Sequence, residues 1–127
     1  MNTLLEHKAI EEATEEKYRR TVTAFVREIG IRHSLQGYYD IQEAICFGLE
    51  CQADIIPKMR TIYEAVALKH DVSYRCVERN IRHAIDDAYR IDPKKLTHLF
   101  HYKIKKPYAN EVIMLGIDLI RSGDFCV

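Results

Sequence analysis

The sequence predicts an all-α fold, a compact domain of about six helices. Three observations carry this. Apolar residues recur at spacings of three and four along most of the chain. Strand signals are nearly absent: there is no Asn-Gly or Asp-Gly hairpin turn and no long alternating stretch. Breakers are sparse, with five Gly and three Pro in 127 residues.

The elements follow in order. A first helix is expected from Thr3 to Ile29, with a possible break near Lys17. Its early part, rich in Glu11, Glu12, Glu15 and Glu16, reads as a solvated lead-in. Its packing part is Val22, Phe25, Val26 and Ile29, closed by Gly30 as C-cap. Gly30 to Gly37 reads as a loop carrying Arg32, His33, Ser34 and Gln36. A second helix spans Tyr39 to Cys51, with Ile41, Ala44, Ile45 and Leu49 inward. Asp54 is the expected N-cap of a third helix, with Pro57 in its first turn and its end at His70. Ser73 caps a fourth, running to Arg90, where Asp92-Pro93 breaks the period. A short fifth helix, Lys94 to Phe100, leads into a basic connector from Tyr102 to Pro107. Asn110 is the expected cap of a last helix ending near Arg121, with Val112, Ile113, Leu115 and Leu119 inward. No repeat and no long linker divides the chain. The domain reading is an acidic helical lead-in over 1–20, one folded unit over 21–123 and a tail over 124–127.

The composition, 47% hydrophobic and 30% charged, excludes a disordered or fibrous chain. No apolar run approaches the roughly 20 residues a membrane span needs, and the first residues lack a signal-peptide core. A cytoplasmic protein with no membrane partner is therefore expected. Cys46 and Cys51 are separated by four residues and no Cys-x-x-Cys pair exists, while His98 and His101 lack an evident third ligand. No metal and no cofactor is expected. Nor is an enzyme: no nucleophile–base constellation, Gly-rich phosphate loop or paired-carboxylate motif stands out among the eight tyrosines and six histidines.

The third and fourth helices are joined at Asp71-Val72-Ser73, a connection short enough for a helix-turn-helix. Ala67 is small where the two helices meet, and Asp71 tolerates the turn that Gly usually occupies. On the fourth helix, Val77, Ile81, Ala84, Ile85 and Ala88 form one buried stripe. Opposite them lie Arg75, Glu78, Arg79, Arg82 and Asp86, with Glu78 and Arg82 spaced as an i, i+4 pair. Arginines and a glutamate on the first turns of such a helix suit base reading in a major groove, Arg toward guanine and Glu toward the cytosine amino group. The charge distribution agrees. The chain is neutral, with 19 basic and 19 acidic residues, but Ser73 to Lys106 holds nine basic against four acidic, a local +5 balanced by −5 elsewhere. A concentrated basic patch, rather than net charge, is what phosphate binding requires.

Val77-Glu78-Arg79-Asn80-Ile81-Arg82-His83-Ala84-Ile85 resembles the recognition helix of the stage-zero sporulation regulator (sporulation protein A) family, in its C-terminal DNA-binding effector domain. Ile29-Gly30, Gly37-Tyr38, Glu43-Ala44-Ile45, Leu99-Phe100 with Tyr102, and Lys106-Pro107 with Glu111 match in the same order. The resemblance runs from about Val22 to Arg121. It implies a sporulation-related transcription regulator that binds double-stranded DNA, often as tandem copies, and contacts an RNA polymerase sigma factor. It places Glu78 and Arg79 at base edges, and Arg82, His83 and Lys106 at phosphates. The last helix would bridge adjacent DNA-bound copies. Ser73, at the edge of the recognition helix, joins the expected phosphate set.

Two departures modify this expectation. Cys76 stands where the family often has Arg, with Arg75 one residue earlier. A one-residue shift turns a side chain by about 100° around a helix, so Arg75 and Cys76 complete the expected base-facing set with an altered edge. The family's receiver domain is also not expected within Thr3–Lys17, which is too short and lacks an α/β pattern, so the sequence reads either as an excised effector domain or as a free-standing relative. The alternative reading is accordingly a receiver-less interaction module that antagonises a full-length regulator or the sigma factor.

Overall fold

The computed structural model describes residues 16, 18–51, 57–102 and 104–126. Among these it contains six helices and no strand, as the periodicity predicts. Residues 18–28 form α1. The others are α2 (Gln36–Glu50), α3 (Met59–His70), α4 (Tyr74–Ile91), α5 (Pro93–Thr97) and α6 (Ala109–Ser122). The expected start of the first helix and the Asp54 cap lie outside the described residues.

The buried side chains form one cluster to which every helix contributes. Val22, Phe25, Val26 and Ile29 are all at most 1% exposed, so the predicted packing face of α1 is the real one. Gly30 closes α1 at φ +86, a conformation that costs glycine little. The loop then ends earlier than its composition suggested. α2 begins at Gln36 rather than Tyr39, and Gly37 is a buried helical residue rather than part of a turn. The reason is tertiary: α2 crosses α4 at Gly37, where there is no room for a side chain.

α3 begins at Met59, with Lys58 in the cap position and no side-chain cap, so Pro57 precedes the helix instead of opening it. It ends at Asp71 in the left-handed conformation (φ 54, ψ 48). The Val72 N–H returns to the Ala67 carbonyl at 3.0 Å, satisfying an end carbonyl of α3 as the chain turns. Ser73 then caps α4, its Oγ accepting from the Cys76 N–H at 3.2 Å. Three residues therefore separate two helices, and Val77 and Ile81 of the second are buried in the same core as Ile62 and Val66 of the first.

α4 continues one residue past Arg90, and Asp92 caps α5 by accepting from the Lys95 N–H at 3.1 Å. α5 is shorter than predicted. It stops at Thr97, after which the Phe100 N–H bonds to the Thr97 carbonyl in a turn. α6 is preceded by Tyr108, whose N–H donates to Glu111 Oε1 at 3.0 Å. Asn110, expected as the cap, lies inside the first turn, because the Glu111 carboxylate already serves the exposed N–H.

Candidate nucleic-acid interface

The helix-turn-helix leaves one side of α4 uncovered. Arg75, Arg79, Arg82 and His83 are exposed there, while Val77, Ile81, Ala84, Ile85 and Ala88 on the opposite side are at most 2% exposed. Residues 75, 79, 82, 83 and 86 share that open face because their spacings of three and four keep them on one side of a helix. Glu78 lies at its edge and pairs with Arg82 at 3.8 Å, the predicted i, i+4 contact. At such length and exposure the pair constrains neither side chain strongly.

The start of α4 carries a cationic group around Tyr74. The Arg60 guanidinium of α3 sits 4.8 Å from the Tyr74 ring centroid, and that of Arg75 sits 6.0 Å away. Cys76 is half-buried, and its Sγ accepts a long contact from Asn80 Nδ2 at 3.8 Å. That same amide donates to Asp40 Oδ2 at 3.1 Å, and Gln36 Nε2 donates to the other oxygen at 3.2 Å. Asp40 is 2% exposed, so a buried carboxylate on α2 holds the orientation of Asn80, next to Arg79, through neutral donors.

Lys106, expected at a phosphate, lies beside α4 and pairs with Asp86. The two border a groove of about 750 Å³ floored by Met59, Tyr63 and Ile85. On another side of α4, Arg32 donates from Nε and Nη2 to both oxygens of Asp87, at 2.8 and 2.7 Å. Arg90 adds a contact to Asp87 Oδ1 at 3.0 Å. The two cations, Arg32 foremost through its hydrogen bonds, hold the Asp87 carboxyl below the ordinary aspartate value. Two neighbouring aspartates of α4 thus each anchor a cation from a separate loop.

All eight predicted site residues, Ser73, Arg75, Cys76, Glu78, Arg79, Arg82, His83 and Lys106, fall on α4 or beside it. Sequence reasoning missed the support beneath them, Asp40 with Asn80, and the anchors Asp86 and Asp87. The Asp86-Asp87 pair on an otherwise basic helix was the visible signal. Among the described residues, no group of three or more His, Cys, Asp or Glu is placed to hold a metal ion, and no helix is long and apolar enough to cross a membrane.

An all-helical domain with a tightly connected helix pair, whose second helix presents an arginine-rich face to solvent, defines a helix-turn-helix domain of the DNA-binding class. The family model described as "Sporulation initiation factor Spo0A C terminal" matches residues 22–119. The chain belongs to that family, the DNA-binding effector domains of sporulation regulators.

Proposed function

We propose that residues 21–123 form a sequence-specific DNA-binding unit that regulates transcription of sporulation-related genes by reading a major groove with α4. In this reading Arg75, Glu78 and Arg79 face base edges, with Cys76 at the altered edge. Ser73, Arg82, His83 and Lys106 meet phosphates. The observation that carries it is the exposed Arg75–Arg79–Arg82–His83 face at the start of α4, backed by a fully packed apolar stripe. Its partners are double-stranded DNA, an RNA polymerase sigma factor and further copies of the chain on tandem sites, in the cytoplasm. The protein is not expected to be an enzyme and needs no cofactor.

Selection of bound duplexes from a random pool, repeated with Cys76→Arg, tests the reading. A defined motif should emerge, and the Cys76→Arg motif should differ at one edge. Binding should also weaken steeply between low and physiological salt. A flat salt titration with no selected motif would overturn it. The half-buried thiol in place of the family's arginine favours a second reading in that event: an interaction module that captures a full-length regulator or sigma factor, detected by pull-down.

A further inference from the structure

The Arg32–Asp87–Arg90 cluster is unused by the site described above, and it belongs to neither the base-reading set nor the core. Arg32 comes from the loop before α2, 55 residues from Asp87 in sequence. Its side chain is 51% exposed and that of Arg90 71%, while the carboxylate between them is 12% exposed. A carboxylate serving only to tie the loop down would be satisfied by Arg32 alone, which already engages both its oxygens. Here a second guanidinium converges on it, leaving a net positive charge. Arg32 uses only Nε and Nη2, and Arg90 only Nη2, so several N–H donors of both forks stay open to solvent. Lys95 lays its stem across Gly30, adding a third cation to this end of the domain.

Position supplies the ligand. Arg79, His83, Asp86 and Arg90 lie at i, i+4, i+7 and i+11, one stripe of α4. Arg90 is eleven residues beyond Arg79, about 16 Å along the helix axis. A major groove is about 12 Å wide. If Arg79 reaches base edges from the N-terminal end of α4, Arg90 lies past the groove, over its phosphate wall.

We propose that Arg32 and Arg90, gathered by Asp87, form a second phosphate-contact site on DNA, at the end of α4 remote from the base-reading arginines. Asp87 sets the spacing of the two guanidinium groups, and two neighbouring backbone phosphates take their open donors, one to each arginine. This rests on the DNA-binding reading and extends it from one loop cation, Lys106, to a second from the loop before α2.

The test is duplex binding measured across a salt series, on the selected element extended by several base pairs at each end. One phosphate contact contributes about 0.9 to the slope of log affinity against log salt, and about fivefold in affinity at 0.15 M relative to 1 M salt. Arg32→Ala should therefore lower the slope by about one and the affinity about fivefold, equally for all sequences. Arg32→Ala with Arg90→Ala should lower the slope by about two, and Arg32→Lys should keep most of it. A loss of affinity by Arg32→Ala at an unchanged salt slope would reflect only a loosened loop and overturn the proposal. So would parent-like affinity and slope for Arg32→Ala in a protein that selects a motif. Absence of salt-dependent binding by the parent chain would instead defeat the underlying reading, before any variant is compared.

Discussion

Gly37 of α2 lies so close to Asn80 of α4 that a Cβ at position 37 would stand 2.2 Å from the Asn80 carbonyl oxygen and 2.6 Å from Ala84 Cβ. Both obstacles belong to the helix expected to read DNA, and one is backbone, so neither can rotate away. Gly37→Ala must push α4 off α2. The expected loss of stability is about 1–3 kcal/mol, the usual cost of overpacking a filled interior, measured by urea unfolding. Because Asn80 adjoins Arg79, the displacement should also weaken DNA binding in the fraction that remains folded.

Arg79 and Lys106 should fail differently when truncated. Arg79→Ala removes a candidate base contact and should cost about 1–3 kcal/mol on the preferred element, with little change on unrelated duplexes. Lys106→Ala should weaken all sequences nearly alike. It also leaves Asp86 without its ion-pair partner on the DNA-facing side. Adding Asp86→Asn to Lys106→Ala should therefore recover part of the lost affinity. Competition binding with specific and scrambled duplexes, alongside helicity by circular dichroism, checks both variants.

The helices and the exposed arginine face of α4 were legible because they depend on local spacing. The stripe from Val77 to Ala88 is buried as counted, Ser73 caps as expected, and Gly30 ends α1 with a positive φ. The misses arise where a distant element or a competing local cap decides. Gly37 looked like a turn residue because glycine ends helices, yet the passage of α4 selects it here. Asn110 looked like a cap, but Glu111 reaches back to the Tyr108 N–H and sets the boundary two residues earlier than a cap at 110 would. The site shows the same division. Eight candidate residues could be proposed from their placement on or beside one helix. Asp40 under Asn80 and Arg32 on Asp87 join residues 40 and 55 positions apart, which no local pattern encodes.

The thiols should differ sharply in reactivity. Burial pushes the Cys46 thiol up to about 11, so at neutral pH almost none of it is the nucleophilic thiolate. Cys126 is exposed, and Cys51 and Cys76 are half-buried. In a timed alkylation read by mass spectrometry, Cys126 should react first and Cys46 last, the latter only as the domain unfolds. Early modification of Cys46 would mean that the α2 core opens readily.

The turn of the helix-turn-helix can be tested at Asp71, whose φ of 54 is adopted readily by glycine and tolerated by aspartate. Asp71→Gly removes the side-chain crowding, while Asp71→Val places a β-branched residue where the left-handed conformation costs most. Asp71→Gly should leave stability within about 1 kcal/mol of the parent and Asp71→Val should lower it by more, of order 1–3 kcal/mol. Thermal unfolding of both variants reads the difference. Equal stabilities would mean that the turn rearranges without using the left-handed conformation.

The Asp87 anchor predicts a particular pH dependence. Its carboxyl is held below the ordinary aspartate value of 3.8, first by the Arg32 hydrogen bonds, which with a smaller help from Arg90 outweigh the opposing cost of burial. A carboxylate depressed in the folded state adds stability that is complete above its unfolded pKa and is lost as pH falls through the folded one. The parent should therefore exceed Arg32→Ala in stability at pH 6, and the gap should narrow as pH falls below the ordinary aspartate value and Asp87 takes up its proton. Comparing the two proteins at each pH cancels groups that titrate alike in both. Urea unfolding at pH 6, 4 and 3 measures the gap. A gap that persisted unchanged at pH 3 would assign the stabilising role of Arg32 to the packing of its stem rather than to Asp87.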